Sequence, residues 1–242
     1  MAVYDKIADG YKKSRKLPIC HYVETYSLFQ IVGDLSGQSV LDLACGEGIH
    51  TRNFRKNGAT QVVGVDISEK MINLAKQEEA REPLDIKYQV QDVLTLGKIG
   101  GFDLVTAAYL LNYAKTREEL LAMCKSIYVN LKIGGRFVSI NSNFKPDPDG
   151  KWKKYGLKKR ASEPLQEGAP FNITCFGKDW NVSFDNYYLS KDSYEWAFQQ
   201  AGFKSFCWHD PQVSPESIKE FGEEFWQDAI HHPVLVGIEC VK

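Results

Sequence analysis

Short apolar runs alternate with helix-like patterns over the first 142 residues of the chain, and most of these runs end in a polar or acidic residue. An alternation of strands and helices is typical of an open, doubly wound α/β sheet with mostly parallel strands. Five runs predict strands: Val40–Leu43, Gln61–Asp66, Ile86–Val93, Gly101–Tyr109 and Gly135–Ser142. The pattern therefore predicts one α/β core in which the carboxyl ends of several strands meet at one edge.

The first strand is followed by a glycine turn and a helix, in the segment V-L-D-L-A-C-G-E-G at Val40–Gly48. A strand, a glycine turn and a helix form a nucleotide-sized cleft in doubly wound sheets. Asp66 ends the next strand about 20 residues further on, where an acid accepts hydrogen bonds from ribose hydroxyls. These features predict a nucleoside cofactor.

The charges around the turn distinguish between nucleosides. Glu47 lies inside the turn and would repel a phosphate, and Thr51 stands where a dinucleotide site requires a small residue. Asp42 adds a second negative charge at the strand end. S-adenosylmethionine has a sulfonium cation and no phosphate, so it fits this pattern better than NAD.

The segment D-L-A-C-G-E-G at Asp42–Gly48 resembles motif I of the class I methyltransferases, with Ala44 in place of the first glycine. The later strand ends resemble further motifs of that family. The resemblance implies that Asp66 binds the ribose, and that Asp92 and the backbone N–H of Val93 bind adenine. The full set of cofactor-binding residues that it implies is Tyr11, Arg15, Asp42, Ala44, Gly46, Asp66, Ile67, Met71, Gln91, Asp92, Val93 and Ala107.

Several longer segments are similar to the toxoflavin-biosynthesis type of small-molecule N-methyltransferase. They include the entry to motif I, the segment V-V-G-V-D-I-S-E-K-M-I, the run Ala107–Ala114 and the K-Y-G in the insertion. The sequence of the insertion differs enough that the azapteridine substrate of that type is not expected here.

Two helical patterns precede the core, Tyr4–Arg15 and His21–Val32, separated by Pro18. The resemblance implies that the first helix covers the cofactor, with Tyr11 shielding the sulfonium and Arg15 binding the methionine carboxylate. The alternative is an amphipathic helix packed on the sheet edge, with Arg15 in solvent.

An insertion follows the fifth strand. Pro170–Phe176 and Trp180–Tyr188 alternate apolar and polar residues across a turn, which predicts a β-hairpin with a three-residue loop. The basic run Lys151–Arg160 predicts a short helix whose charges are either solvated or face an acidic substrate. We expect this insertion to cap the substrate cleft.

The remaining sequence returns to the sheet. It predicts a helix at Asp192–Ala201, a strand at Phe203–Trp208, a helix at Pro215–Ile230 and an antiparallel last strand at Pro233–Val241. The fold expected is thus a doubly wound, seven-stranded, mostly parallel sheet with an N-terminal helical lid and a cap insertion. The expected divisions are a lid at 1–35, a cofactor-binding core at 36–142, a cap at 143–189 and a C-terminal completion of the sheet at 190–242.

Methyl transfer to a nitrogen needs no base once the nitrogen is neutral, whereas a hydroxyl acceptor needs one. His209, at a predicted strand end, and Tyr109 are the candidate catalytic residues. The cap is rich in aromatic residues, which suits a small aromatic or heteroaromatic acceptor. The residues expected to bind it are Tyr4, His21, Tyr109, Asn112, Tyr155 and Tyr187.

Composition narrows the function further. The net charge of −1 over 242 residues favours neither nucleic acid nor an anionic membrane as partner. Six cysteines without a C-x-x-C pair predict no metal site, and the charged N-terminus predicts a cytoplasmic protein. A small-molecule acceptor is the expected partner, to a monomer or homodimer. Two alternatives stay open: a NAD(P)-dependent oxidoreductase of Rossmann type, and an S-adenosylmethionine-binding sensor without catalysis.

Overall fold

A computed structural model describes residues 3–143, 148–161 and 164–242 of the chain. Seven strands form the central sheet in the order β3-β2-β1-β4-β5-β10-β9. Every pairing is parallel except those of β10, which runs antiparallel to both β5 and β9. The predicted doubly wound sheet with an antiparallel last strand is confirmed. The strands are β1 Ser39–Leu43, β2 Gln61–Asp66, β3 Lys87–Val90, β4 Phe102–Ala108, β5 Leu131–Ser142, β9 Ser205–His209 and β10 Leu235–Val241.

Helices cover both faces of this sheet, and each face has its own apolar core. One core contains residues of α5 and α6, and the other contains residues of the N-terminal helices, α3, α4 and α8. The helices around the sheet are α2 Tyr26–Val32, α3 Ile49–Lys56, α4 Glu69–Arg81, α5 Arg117–Asn130, α6 Lys191–Ala201, α7 Pro215–Phe221 and α8 Glu223–His231. A short 3₁₀ helix, Leu111–Tyr113, follows β4.

Local capping explains where several of these helices begin and end. The side chains of Ser68, Thr116 and Ser190 accept hydrogen bonds from the first turns of α4, α5 and α6. The predicted single helix Pro215–Ile230 is wrong: Gly222, at φ 82°, separates α7 from α8. A residue in this conformation interrupts the helical backbone, and glycine adopts it without steric cost.

The N-terminal region differs from the two predicted helices in one respect. α1 spans Val3–Ser14, and the chain then forms a π-helix at Ile19–Thr25 before α2. Neither the π-helix nor its boundaries follow from the apolar pattern. π-helical turns are rare in proteins as a whole, but those that occur are often found at functional sites. This segment is therefore a candidate part of a functional site.

The insertion forms a separate antiparallel sheet of three strands, β6 Leu157–Ala161, β7 Pro170–Gly177 and β8 Trp180–Tyr187. The β7–β8 hairpin matches the prediction, but its loop has two residues because Gly177 pairs with Trp180. The predicted basic helix is wrong in its second half: a 3₁₀ helix occupies Pro148–Tyr155, and β6 follows it. β6 pairs with β7, and this pairing overrides the helical pattern of the basic run.

α1 packs against β7 and β8 of this cap sheet and against α4. A Cβ at Gly10 would lie 3.1 Å from the side chain of Val182 in β8, and the rings of Tyr11 and Phe184 meet at 6.1 Å. The N-terminal helix therefore contacts the cap directly.

Candidate active site

Three adjoining cavities lie at the carboxyl edge of the sheet. The strand-end cavity follows the ends of β1 to β3, the turn cavity lies at the glycine turn, and the central cavity lies between them. Ala44 lines all three, so we treat them as one groove and name it the cofactor groove. Ten of the twelve predicted cofactor-binding residues line it: Tyr11, Arg15, Ala44, Gly46, Asp66, Ile67, Met71, Gln91, Asp92 and Val93.

Asp66 organises the glycine turn. One carboxylate oxygen accepts a hydrogen bond from the backbone N–H of Gly46 at 2.8 Å, and the other accepts one from Ser68 at 2.8 Å. Gly46 has φ 56°, and a Cβ built on it would face open space within 4 Å. The turn thus leaves its surface clear for a ligand.

Asp42 does not line the groove, contrary to prediction. Its side chain is buried beneath the turn, where its oxygens accept hydrogen bonds from Thr51 at 2.6 Å and Thr106 at 3.0 Å. Burial raises the pKa of Asp42 to about 6, although both hydroxyls oppose the shift. Asp42 therefore supports the turn from below.

Ala107 is also buried, and its carbonyl accepts a hydrogen bond from Ser139. The groove is lined by Ala108 instead. Adjacent residues of a strand point to opposite faces, so the prediction was one residue out of register.

The charges of the groove suit a cationic nucleoside. Asp66, Asp92, Glu47 and Glu119 bring four carboxylates to its wall, against the two cationic side chains of Arg15 and Lys115. Lys12 of α1 lies 3.5 Å from Glu47. Carboxylates repel a pyrophosphate and attract a sulfonium or an ammonium group. The donor set and the open turn fit S-adenosylmethionine.

A fourth cavity, the lid–cap cavity, lies between α1, the π-helix, the cap sheet and the end of β5. It encloses about 670 Å³ of space not occupied by atoms, including solvent at its mouth. Its walls are mostly apolar and aromatic. The lining residues are Tyr11, Ser14, Arg15, Ile19, Cys20, Glu24, Tyr109, Ser142, Trp152, Leu157, Lys158, Lys159, Ile173, Cys175, Phe184, Val234 and Leu235.

Tyr11 and Tyr109 line both this cavity and the central cavity of the cofactor groove. They form the boundary between the two spaces. Tyr109 has φ 64°, a left-handed conformation that is costly for a bulky residue and often occurs at functional sites. Its backbone N–H donates to Ile140 at 2.7 Å.

Glu24, a residue that sequence reasoning missed, lies at the same boundary. It belongs to the π-helix and is 1 % exposed. The two terminal nitrogens of Arg15 donate to its two oxygens at 2.8 and 2.5 Å. Nε2 of His50 lies 3.0 Å from one oxygen, and the Tyr109 hydroxyl donates to the other at 2.8 Å.

These partners fix the charge of Glu24. Burial alone would raise the pKa of this carboxyl, but Arg15 and the hydrogen bond from His50 hold it well below its usual range. The pKa of Tyr109 is raised, because its phenol is buried and lies beside the negative Glu24. The cluster therefore contains a carboxylate and a neutral phenol.

Arg15 is thus not a solvent-exposed residue. Its guanidinium lines the turn cavity and the lid–cap cavity, while both terminal nitrogens bind Glu24. Its predicted contact with a methionine carboxylate stays a prediction.

Several residues predicted to bind the acceptor do not line the lid–cap cavity. Tyr155 stacks on Trp226, and its hydroxyl is engaged by the backbone of Phe225 and Ala229. Asn112 is buried and accepts a hydrogen bond from the backbone of Ser142. These two side chains hold elements of the fold together.

Two further residues lie outside the cavity. His21 is exposed and packs against Tyr22, and Tyr187 lies beneath the amino group of Lys115, at 5.1 Å. The side chain of Tyr4 lies outside the described residues.

His209 is not placed for catalysis. It ends β9, the edge strand, three strands from β4, which is about 14 Å at the usual spacing between strands. Its Nε2 lies 3.2 Å from a carboxylate oxygen of Glu239. His209 thus lies at the carboxyl edge of the sheet, as predicted, but three strands away from the end of β4.

In the part of the chain that the structure describes, no group of three His, Cys, Asp or Glu side chains could hold a metal ion. No helix there is long and apolar enough to cross a membrane.

Comparison with known proteins identifies the core. A family model described as a methyltransferase domain matches residues 40–135. A ubiquinone biosynthesis O-methyltransferase of Coxiella burnetii is 34% identical over 146 residues, which cover 58% of this chain and 61% of that protein. A demethylmenaquinone methyltransferase of Lactococcus lactis is 36% identical over 117 residues, covering 46% of this chain and 45% of the other. The chain spans about three fifths or less of the length of these curated relatives.

Solved structures extend the likeness to the whole fold. An S-adenosylmethionine-dependent methyltransferase from Clostridium acetobutylicum covers 99% of each chain with a TM-score of 0.65 at 18% identity. Another, from Mesorhizobium loti, covers 95% of this chain and 100% of its own, with a TM-score of 0.65 at 17% identity. Residues 40–135 thus match a methyltransferase domain, and the chain as a whole has the fold of solved S-adenosylmethionine-dependent methyltransferases.

Proposed function

We propose that this protein transfers a methyl group from S-adenosylmethionine to a nitrogen or oxygen of a small, aromatic or heteroaromatic molecule. The cofactor groove would hold the cofactor, and the lid–cap cavity would hold the acceptor. The observation that carries the proposal is the shared wall: Tyr11 and Tyr109 line both spaces. A methyl group would cross between them without passing through solvent.

The residues of the groove suggest how the cofactor is oriented. Asp66 lines the strand-end and central cavities, where its carboxylate would accept hydrogen bonds from the ribose hydroxyls. Asp92 and Val93 line the strand-end cavity, where adenine would lie. Arg15, Glu47 and His50 line the turn cavity, where the methionine part would lie. When bound, the cofactor supplies an electrophilic methyl group and leaves as a neutral thioether.

The walls of the lid–cap cavity favour a flat, mostly apolar acceptor. Ile173 and Leu235 contribute aliphatic surface, and Trp152 and Phe184 contribute aromatic surface. α1 and the cap sheet would exclude water from the reacting atoms. The two sequence relatives are a ubiquinone biosynthesis O-methyltransferase and a demethylmenaquinone methyltransferase, which supports a small-molecule acceptor. The resemblance to the toxoflavin-biosynthesis type remains a prediction.

Replacement of Asp66 by Ala tests the cofactor site. The variant should bind S-adenosylmethionine more weakly by roughly 1–3 kcal/mol, the range for losing charge-assisted hydrogen bonds, as measured by calorimetry. Asp103→Ala is the matched control, because Asp103 also binds backbone and side-chain donors, those of Ser39, but lies near the start of β4. It should leave the affinity unchanged. Equal affinities of wild type and Asp66→Ala would contradict the assignment.

Turnover distinguishes the enzyme from a sensor. Incubation with methyl-labelled S-adenosylmethionine and a panel of heteroaromatic, amine and phenol acceptors should label one or more of them. Tight cofactor binding without labelling of any acceptor would favour a sensor, and binding of NAD in its place would favour an oxidoreductase.

A further inference from the structure

The charge of Glu24 decides which group is the donor in each of its hydrogen bonds. A carboxylate has no hydrogen to give, so each partner of Glu24 must donate to it. The two terminal nitrogens of Arg15 therefore donate to Glu24, and the hydroxyl of Tyr109 gives its only hydrogen to Glu24. The Tyr109 oxygen has only lone pairs left for any other group.

The position of this oxygen is fixed. The left-handed backbone of Tyr109 is held by the hydrogen bond to Ile140 at one end and by Glu24 at the other. Glu24 is held in turn by both terminal nitrogens of Arg15. Tyr109 thus presents a fixed hydrogen-bond acceptor at the boundary of the cofactor groove and the lid–cap cavity.

The described walls of the lid–cap cavity offer no general base. Burial raises the pKa of the Cys175 thiol to about 11 and raises the pKa values of the Tyr11 phenol and the Cys20 thiol further above their usual range. These groups hold their protons at neutral pH. The carboxylate of Glu24 also lines the cavity, but Arg15 holds its pKa well below the usual range, so it is a weak base. His50 is engaged by Glu24 and lines the turn cavity, and the other histidines do not line the lid–cap cavity.

The two lysines of β6 do not change this conclusion. They are adjacent in the strand, so their side chains point to opposite faces. Lys159 lies over the rings of Trp152 and Phe171, and its amino group donates to the carbonyl of Asn143. Lys158 pairs with Thr174, on the opposite face. The amino group of Lys159 is thus engaged as a hydrogen-bond donor.

We propose that Glu24 is a positioning residue that turns the Tyr109 phenol into a fixed hydrogen-bond acceptor, and that this pair selects acceptors whose nucleophile is an uncharged nitrogen bearing a hydrogen. The inference rests on the function proposed above and narrows its substrate class. The N–H donates to Tyr109, and the nitrogen lone pair forms the bond to the methyl carbon. The sulfur keeps the electron pair of the broken bond, and the methylated nitrogen releases its proton to solvent. A hydroxyl acceptor would need a base that the described cavity does not provide.

Binding of matched probes tests the selectivity without turnover. Calorimetry with the protein saturated in S-adenosylhomocysteine would compare N-methylaniline with N,N-dimethylaniline, and indoline with 1-methylindoline. The N–H member of each pair should bind about tenfold more tightly, as expected for one buried hydrogen bond. Equal binding of the members, or no binding of either N–H probe, would overturn the inference. Retained binding of S-adenosylhomocysteine in that case would leave the proposed function standing.

Two variants test the roles of the pair. Tyr109→Phe and Glu24→Gln should each reduce the N–H preference to less than about threefold, because the first removes the acceptor oxygen and the second frees its hydrogen. Tyr22→Phe is the matched control: it removes another Tyr–Glu hydrogen bond of the π-helix, that to Glu220. It should keep the wild-type preference. Folding of each variant is checked by thermal unfolding, and a preserved preference in folded Glu24→Gln would contradict the positioning role.

The pH profile supplies a second, independent readout. Without a base in the enzyme, the apparent pKa of kcat/KM should follow the pKa of the acceptor through a series of ring-substituted benzylamines. Selective methylation of phenols, with one apparent pKa shared by all acceptors, would reveal an enzyme base and overturn the inference.

Discussion

The cofactor groove and the lid–cap cavity share two tyrosines but are built in different ways. The groove is formed by the ends of neighbouring parallel strands and by a turn of a few residues. The lid–cap cavity is assembled from segments more than 200 residues apart, from Tyr11 in α1 to Leu235 in β10. Backbone hydrogen bonds position the first, and a buried cluster of charged and polar side chains around Glu24 supports the second.

Because the two regions are built differently, we expect substitutions in them to change the stability of the protein by different amounts. A turn tolerates the loss of one side chain if the backbone keeps its path, whereas a buried charge that loses its partner has no alternative solvation. We therefore expect the largest effects on stability at the lid–cap boundary and smaller ones in the groove.

The largest effect is expected for the Arg15–Glu24 pair. Arg15→Ala leaves the Glu24 carboxylate buried without its main partner, and should lower the free energy of unfolding by roughly 3–5 kcal/mol, measured by urea denaturation. The double variant Arg15→Met/Glu24→Leu should lose less than Arg15→Ala, because it buries no unpaired charge.

The control is a solvent-exposed ion pair on α4. Arg81 lies 2.5 Å from Glu78 on the surface of α4, and Arg81→Ala should change the stability by no more than the error of the measurement. If Arg15→Ala were equally mild, the buried cluster would not hold the lid.

An intermediate effect is expected at Asp42, beneath the turn. Its pKa is raised to about 6 in the folded protein, so folding favours the protonated form. The resulting stabilisation is complete below about pH 4 and is lost as the pH rises through 6. The difference is roughly 3 kcal/mol for a shift of about two pKa units.

Asp42→Asn should not show this loss, because the amide does not titrate and the hydroxyls of Thr51 and Thr106 can donate or accept. Urea denaturation of both proteins between pH 4 and 7.5 would measure it: relative to wild type, the variant should gain stability as the pH rises. Parallel stability curves would show that Asp42 does not titrate in this range.

The smallest effect is expected at Ala44, which adopts φ 54° in the turn. Ala44→Gly relieves this left-handed conformation but increases the freedom of the unfolded chain, so the gain in stability should lie between zero and about 1 kcal/mol. Ala107→Gly is the matched control in β4 and should destabilise the protein, since no positive φ is relieved there. A clear loss of stability in Ala44→Gly would mean that the backbone strain is negligible.

The same comparison explains what the sequence could predict. The positions of Asp66 and Asp92 in the groove could be predicted because strand, turn and acid follow one another within a few residues. Glu24 could not, because its partners Arg15, His50 and Tyr109 come from three other elements and no local pattern links them. Tyr155 was misassigned for the related reason that composition identifies an aromatic cap but not which aromatic faces the cavity. His209 failed because the order of strands in the sheet, rather than the end of one strand, decides its distance from the site.

The π-helix at Ile19–Thr25 also has an evolutionary consequence. Its hydrogen bonds close a wider turn than those of an α-helix, so the segment accommodates residues that an α-helix would place on a different face. Deletion of one residue of this segment before Glu24 would turn the side chains that follow in the same helix by about 100° relative to those before it. A single-codon deletion there would move Glu24 away from Tyr109 while leaving the sheet unchanged. The chemistry of this boundary can thus be rewritten by a change in chain length, without a substitution at any residue that contacts the acceptor.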